Sequence, residues 1–169
     1  IIGVLNSDDE YFDENVLTKI YSCFVEHKCD VLHGDLIYEK GNIPKRIWKS
    51  GDYIAGALEL GWMPPHPTIF IRSKVLDLVG TYDSSYKISG DYEWIWRLYK
   101  NKALSTYYLP HFLVRMQVGG VSNDFKLSIL KKYKEDFKIA RLYSRLPLLC
   151  VLLKIIRKIP QFLRVKFSH

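Results

Sequence analysis

Apolar positions in this chain recur with two periods, near two and near three and a half, and the switches between them lay out an α/β order. Residues 1–5 are an unbroken strand-forming run that stops at the polar cluster 6–10, the pattern of a strand buried on both faces that opens into a loop. Asp13 is then placed to cap a helix in which Val16, Leu17, Ile20, Tyr21 and Phe24 return at helical spacing, and which is expected to stop near His27 and Lys28. Residues 30–38 read as a second strand, 39–42 as a turn and 43–48 as its antiparallel partner. Residues 50–60 look helical, with Ala55, Leu58 and Leu60 near one side, whereas three prolines in 62–67 forbid a regular helix.

Further on, 68–71 reads as a short strand, and Ser73 caps a helix that runs through Val79 and is ended by Gly80. A Ser-, Tyr- and Asp-rich loop, 82–90, leads to a strongly helical stretch opened by Asp91, with Trp94, Ile95, Leu98 and Tyr99 on one face. Strands are expected at 105–109 and again at 112–118, with a flexible turn at 119–123. An amphipathic helix over 125–143 and a last helix, begun by Pro147 and interrupted by Pro160, complete the chain. The division expected is a body, 1–123, and a helical tail, 124–169.

Charge alters this picture mainly in the tail. From Arg145 onward there are six basic residues and no acidic one, which leaves +1 of the formal +7 for everything before it. A near-neutral body with a basic end argues against a surface built for duplex nucleic acid, and no aromatic-basic motif for single strands is present, so no nucleic-acid partner is expected. The apolar run 148–153 is far short of the ~20 residues that span a bilayer. Lys154, Arg157 and Lys158 share one helix face while Leu152, Ile155, Ile156 and Ile159 cover much of the rest, so an interfacial helix on an anionic membrane surface is the expected role of the tail. Three cysteines without a CxxC spacing suggest neither a zinc site nor a disulfide framework and fit a reducing, cytoplasmic setting.

Three places could carry chemistry. Asn6-Ser7-Asp8-Asp9 sets two carboxylates just past a strand, where magnesium or manganese could bridge them to a diphosphate, or where they form an acidic capping turn. Asp91, at a helix N-terminus behind Gly90, is a carboxylate that the helix dipole keeps charged, and it can accept a hydroxyl proton or serve only as a cap. Pro64-Pro65-His66-Pro67-Thr68 holds one histidine in a rigid loop, and Trp62 beside it can stack on a sugar or fill the core.

Taken in order, Leu5-Asn6-Ser7-Asp8-Asp9-Glu10, Pro64-Pro65-His66-Pro67-Thr68-Ile69-Phe70-Ile71-Arg72, Gly80-Thr81-Tyr82-Asp83, Ser89-Gly90-Asp91-Tyr92-Glu93, Arg97-Leu98 and Gly119-Gly120-Val121-Ser122 resemble the family 2 glycosyltransferases, in particular bacterial members that build surface polysaccharides. The resemblance implies a partial GT-A (Rossmann-like) α/β fold, a mixed sheet flanked by helices. It implies an inverting transfer from a nucleotide-sugar donor, a UDP-sugar first among them, to a hydroxyl of a glycan or lipid-linked acceptor in cell-surface polysaccharide synthesis. Asp8 and Asp9 match the family's Asp-X-Asp-like motif, Asp9 on the metal (Mg2+ or Mn2+) and Asp8 on the ribose or sugar side. Asp91 matches the catalytic base, although Gly90 stands where many members have Glu. His66, Trp62 and Glu93 fall on the substrate side. The family holds base and ribose on strands before the Asp-Asp motif, so the chain is expected to be the C-terminal part of such a domain, working at the inner face of the bacterial cell membrane. An inactive remnant that binds carbohydrate or acts as a scaffold at the membrane is the competing expectation.

Overall fold

The computed structural model describes residues 1–118 and 125–166. The turn expected at 119–123, with Gly119-Gly120-Val121-Ser122, lies outside the described residues. A mixed six-stranded sheet carries the fold, ordered β1 (Ile2–Gly3), β5 (Phe70–Ile71), β3 (Val31–Lys40), β6 (Thr106–Gln117) and β2 (Asp9–Tyr11), with β4 (Ile43–Trp48) paired beside β3. β3 is the axis, antiparallel to β4 and β5 and parallel to β6. The hairpin β3–β4 turns at Gly41 and Asn42, both with positive φ (56° and 63°), as a tight two-residue turn between right-twisted strands requires.

Alternation along β3 assigns its side chains to two clusters. Val31 joins α2 (Lys74–Val79), α3 (Gly90–Lys100) and the loop residues Leu58 and Trp62, whereas Leu32 and Leu36 pack with Val16, Ile20 and Phe24 of α1 (Val16–His27). α3 is buried nearly all round, with Tyr92, Trp96 and Leu98 at most 1% exposed. The C-terminal helices α4 (Phe125–Tyr143), α5 (Pro147–Ile156) and α6 (Ile159–Lys166) are not a detached appendage. Ile139 and Cys150 belong to the same cluster as α3, the Tyr143 ring stacks 5.8 Å from Trp96, and Glu135 accepts the backbone N–H groups of Lys87, Ile88 and Ser89.

Several expectations give way. The stretch 1–5 is not a doubly buried strand: β1 pairs on one side only, with β5, and Ile1, Ile2 and Val4 are exposed. Residues 50–60 form successive turns rather than a helix, because Gly51, Gly56 and Gly61 all take positive φ and the backbone bonds run from i to i+3. The short strand at 68–71 is shortened to Phe70–Ile71, since His66–Thr68 is a 3-10 turn. The strands expected at 105–109 and 112–118 are one strand, β6. Its register against β3 jumps from His33 opposite Tyr108 to Asp35 opposite Phe112, so Pro110 sits in a bulge where no ladder N–H is needed. α1 ends at His27, where expected, with Lys28 left-handed; its N-cap is Asn15 without a side-chain capping bond and not Asp13, which accepts the Asn15 N–H at 2.8 Å just before the helix. Ser73 sits at the N-cap of α2 without a side-chain capping bond, and Gly80 ends that helix at φ 69°.

Candidate active site

Strand register assembles the floor of the site. Asp9 of β2 pairs with Met116 of β6, Met116 with Tyr38 of β3, and Tyr38 with Arg46 of β4. Directly paired residues project to the same side of a sheet, so a carboxylate and a guanidinium stand at the two ends of one row across four strands. Asp9 is buried; its Oδ2 accepts the Asn6 amide at 2.7 Å, while its Oδ1 is buried without a hydrogen-bond partner. Burial is the main force pushing its carboxyl above the usual range, with Asp8 adding to it, and the Asn6 amide and His66 pull the other way. Asp8 itself is exposed.

Over this floor, the rigid Pro65–Pro67 turn and the start of α3 bring His66 and Asp91 together. His66 Nδ1 lies 3.3 Å from Asp91 Oδ2, and the two side chains are 28% and 29% exposed, covered by protein yet open to a ligand. Burial alone would raise the Asp91 carboxyl; the His66 contact and the fields of Lys154 and Lys132 outweigh it and hold it below the ordinary value. Asp91 is therefore a charged acceptor at neutral pH. Both residues line a cleft of about 200 Å³ together with Tyr38, Arg46, Lys132 and Lys154. Tyr38 and Met116 of the floor row line the same cleft, and Asp9 stands one strand beyond Met116.

Of the remaining expected residues, Trp62 and Glu93 are otherwise engaged. Trp62 is buried among His33, Tyr53 and Tyr99, and its indole N–H donates to Ser50 O at 2.7 Å; it fills the core and edges a neighbouring cleft. Both Glu93 oxygens accept from Arg97, at 2.8–3.0 Å, and Oε1 also takes the Tyr143 hydroxyl at 2.6 Å. Glu93 points away from Asp91 and fastens α4 to α3, as two residues of separation on a helix dictate.

The sequence reading missed the cations. Lys132 of α4 and Lys154 of α5 both pair with the buried Asp136, at 3.1 and 3.0 Å, and Lys158 and Arg46 join them around the cleft. Lys154, Arg157 and Lys158 are expected on one face of an interfacial helix. In the structure Lys154 is buried and Lys158 half-buried, Arg157 is exposed with its Nε donating to Leu60 O at 2.8 Å, and Leu148, Leu149, Leu152, Ile155, Ile156, Ile159, Phe162 and Leu163 are exposed. The shared face was legible in the spacing; its direction was set by Asp136, nearly twenty residues earlier.

Among the described residues no group of three or more His, Cys, Asp or Glu side chains is arranged to hold a metal ion. Asp9 offers one unmatched carboxylate oxygen, which suits a cation that takes one or two carboxylates and completes its shell with substrate phosphates and water.

By sequence, the chain is similar to glycosyltransferases. Over 122 residues it is 28% identical to the PGL/p-HBAD biosynthesis glycosyltransferases of Mycobacterium tuberculosis and Mycobacterium bovis, a match covering 70% of this chain and 46% of each of those proteins. The chain thus spans about half the length of the curated relatives it matches. No family model matches it.

Proposed function

We propose that this chain carries the acceptor-activating and metal-binding parts of an inverting, family 2-type glycosyltransferase that uses a nucleotide-diphosphate sugar. The observation that carries the reading is the cleft lined by Asp91, its His66 partner, Tyr38 and Met116, with the unmatched oxygen of Asp9 on the strand next to Met116. In this reading the acceptor hydroxyl sits against the Asp91 carboxylate, which takes its proton as the oxygen attacks the anomeric carbon. The bond to the donor diphosphate breaks with its electrons leaving on that diphosphate, and the configuration inverts. His66 orients the carboxylate and keeps it ionised. Asp9 would hold magnesium or manganese, which would supply charge to stabilise the leaving diphosphate, with Asp8 on the ribose or sugar side.

The tail supports a place at a membrane surface, with its apolar residues turned outward. No helix among the described residues is long and apolar enough to cross a membrane. Leu148, Leu152, Ile155, Ile156, Ile159 and Leu163 are all exposed, while Lys154 and Gln161 are buried. An apolar face turned outward between exposed Arg145 and Arg164 fits a helix pair lying in the interface of an anionic bilayer. A lipid-linked acceptor would be met there.

Titration of uridine diphosphate into the chain, with and without manganese, tests the donor site. Binding is expected only with the metal; Asp9→Ala should weaken it at least about tenfold, in line with loss of a charged ligand, while Asp91→Asn should leave it within about twofold. Metal-independent binding, or an unchanged affinity in Asp9→Ala, would sink the reading.

A further inference from the structure

Four cations reach the cleft beside Asp91 from separate parts of the chain: Arg46 from β4, Lys132 from α4, Lys154 from α5 and Lys158 from the bend before α6. The carboxylates facing them are Asp136, matched to Lys132 and Lys154, and Asp91, matched to His66. Positive charge therefore exceeds negative by two in a partly enclosed space, where desolvation makes like charges repel strongly. The strain is visible: burial holds the Lys154 ammonium down to about 7, and burial lowers Lys158 and Arg46 too. Arg46 is held with its guanidinium 4.7 Å over Tyr38 and 4.8 Å over Trp48, and its Nε donates to Gln161, yet one Nη is buried without an acceptor. A planar donor pre-oriented by stacking, with an unmet N–H beside three ammonium groups, is suited to phosphate oxygens.

The donor diphosphate is not the natural occupant. Asp9 and Arg46 are three strand steps apart, about 14 Å at ~4.8 Å per step, with the His66–Asp91 pair at the cleft between them. The cation cluster instead adjoins α5 and α6, whose outer faces are apolar and exposed.

Resting on the reading of Asp91 as base, we propose that this cleft binds the phosphate of a lipid-phosphate-linked acceptor, gripped by Arg46, Lys132 and Lys158 above the buried Lys154. The acceptor's hydroxyl then reaches Asp91 while its hydrocarbon leaves along α5 and α6.

The test is calorimetric titration of farnesyl phosphate, farnesol, inorganic phosphate and manganese-uridine diphosphate into the wild-type chain and its Arg46→Gln and Lys158→Gln variants at low salt. Farnesyl phosphate should bind at least about tenfold more tightly than farnesol or inorganic phosphate, and each substitution should cost it about fivefold or more, leaving farnesol and uridine diphosphate within about twofold. Among the described residues Lys158 makes no ion pair, so Lys158→Gln is the second variant should circular dichroism show that Arg46→Gln does not fold. Equal binding of farnesyl phosphate and farnesol would overturn the phosphate site, and equal binding of farnesyl and inorganic phosphate would overturn the lipid assignment. Loss of uridine diphosphate binding in the variants, with farnesyl phosphate spared, would give the cations to the donor instead. Binding of farnesyl phosphate by a chain that never binds uridine diphosphate would sustain the phosphate site and sink only the donor reading.

Discussion

At the level of single residues, hydrogen-bond partners decide what each titratable group can do. His33 is fully buried; its Nε2 meets Gly51 O and its Nδ1 meets the Tyr99 hydroxyl, each at 2.9 Å. A carbonyl can only accept, so Nε2 carries the proton and Nδ1 accepts from Tyr99. Burial pushes its pKa down to about 4, against the 6.5 of a free histidine. Between those values the unfolded chain binds the proton that the folded chain refuses. Stability is therefore retained above pH 6.5 and falls as the pH drops toward 4, by up to about 3 kcal/mol from this residue. Urea denaturation at pH 7 and pH 4.5 should show that loss in the wild type and a smaller one in His33→Gln, whose amide does not titrate. The same test of partners separates Asp91, whose carboxylate remains open beside His66, from Glu93, whose oxygens are taken by Arg97 and Tyr143.

Among elements, local periodicity was legible where an amphipathic face packs directly. α1, the β3–β4 hairpin, α2, α3 and α4 all form where the spacing of their apolar residues predicts. Asp9, His66 and Asp91 could be singled out because they follow an apolar run, two prolines and a glycine, although Asp9 lies on β2 and not in the loop expected at 6–10. Illegible were features fixed by distant partners or by backbone sign. The 50–60 segment has helix-forming residues, but its glycines adopt a conformation that interrupts a helix. Lys154 and Lys158 resemble a solvated face until Asp136 is placed beneath them, and Arg46 is unremarkable in sequence until register sets it opposite Tyr38. Gly61 shows how firmly these elements are coupled: at φ 74°, an added Cβ would enter the backbone of Leu153 and Lys154 on α5. Gly61→Ala should cost about 2–4 kcal/mol, from strain plus displacement of α5, whereas Gly56→Ala, at φ 88° with open space around it, should cost only about 1 kcal/mol. Chemical denaturation of the two variants would check the difference; equal losses would mean that the α5 contact adds nothing.

For the molecule as a whole, the C-terminal helices both close the site and present an apolar surface. Vesicle co-sedimentation gives the prediction at this scale. The chain should bind phosphatidylglycerol-containing vesicles, and the pair Leu152→Gln and Ile156→Gln should reduce that binding about tenfold or more, as expected from removing two aliphatic groups that the bilayer would bury. These side chains are exposed, so thermal stability should change little. Unaltered sedimentation would return the outer face to ordinary solvent exposure. The sheet carries a consequence of a different kind. Because Asp9, Met116, Tyr38 and Arg46 meet only through the pairing of four strands, the alignment works like a vernier, with a single setting at which its marks coincide. A one-residue slip of β6 would exchange Met116 for a neighbour and turn every side chain of that strand to the other face, so a chain with all its helices in place could still be silent. The bulge around Pro110 thereby becomes the stop that holds the scale at its working mark.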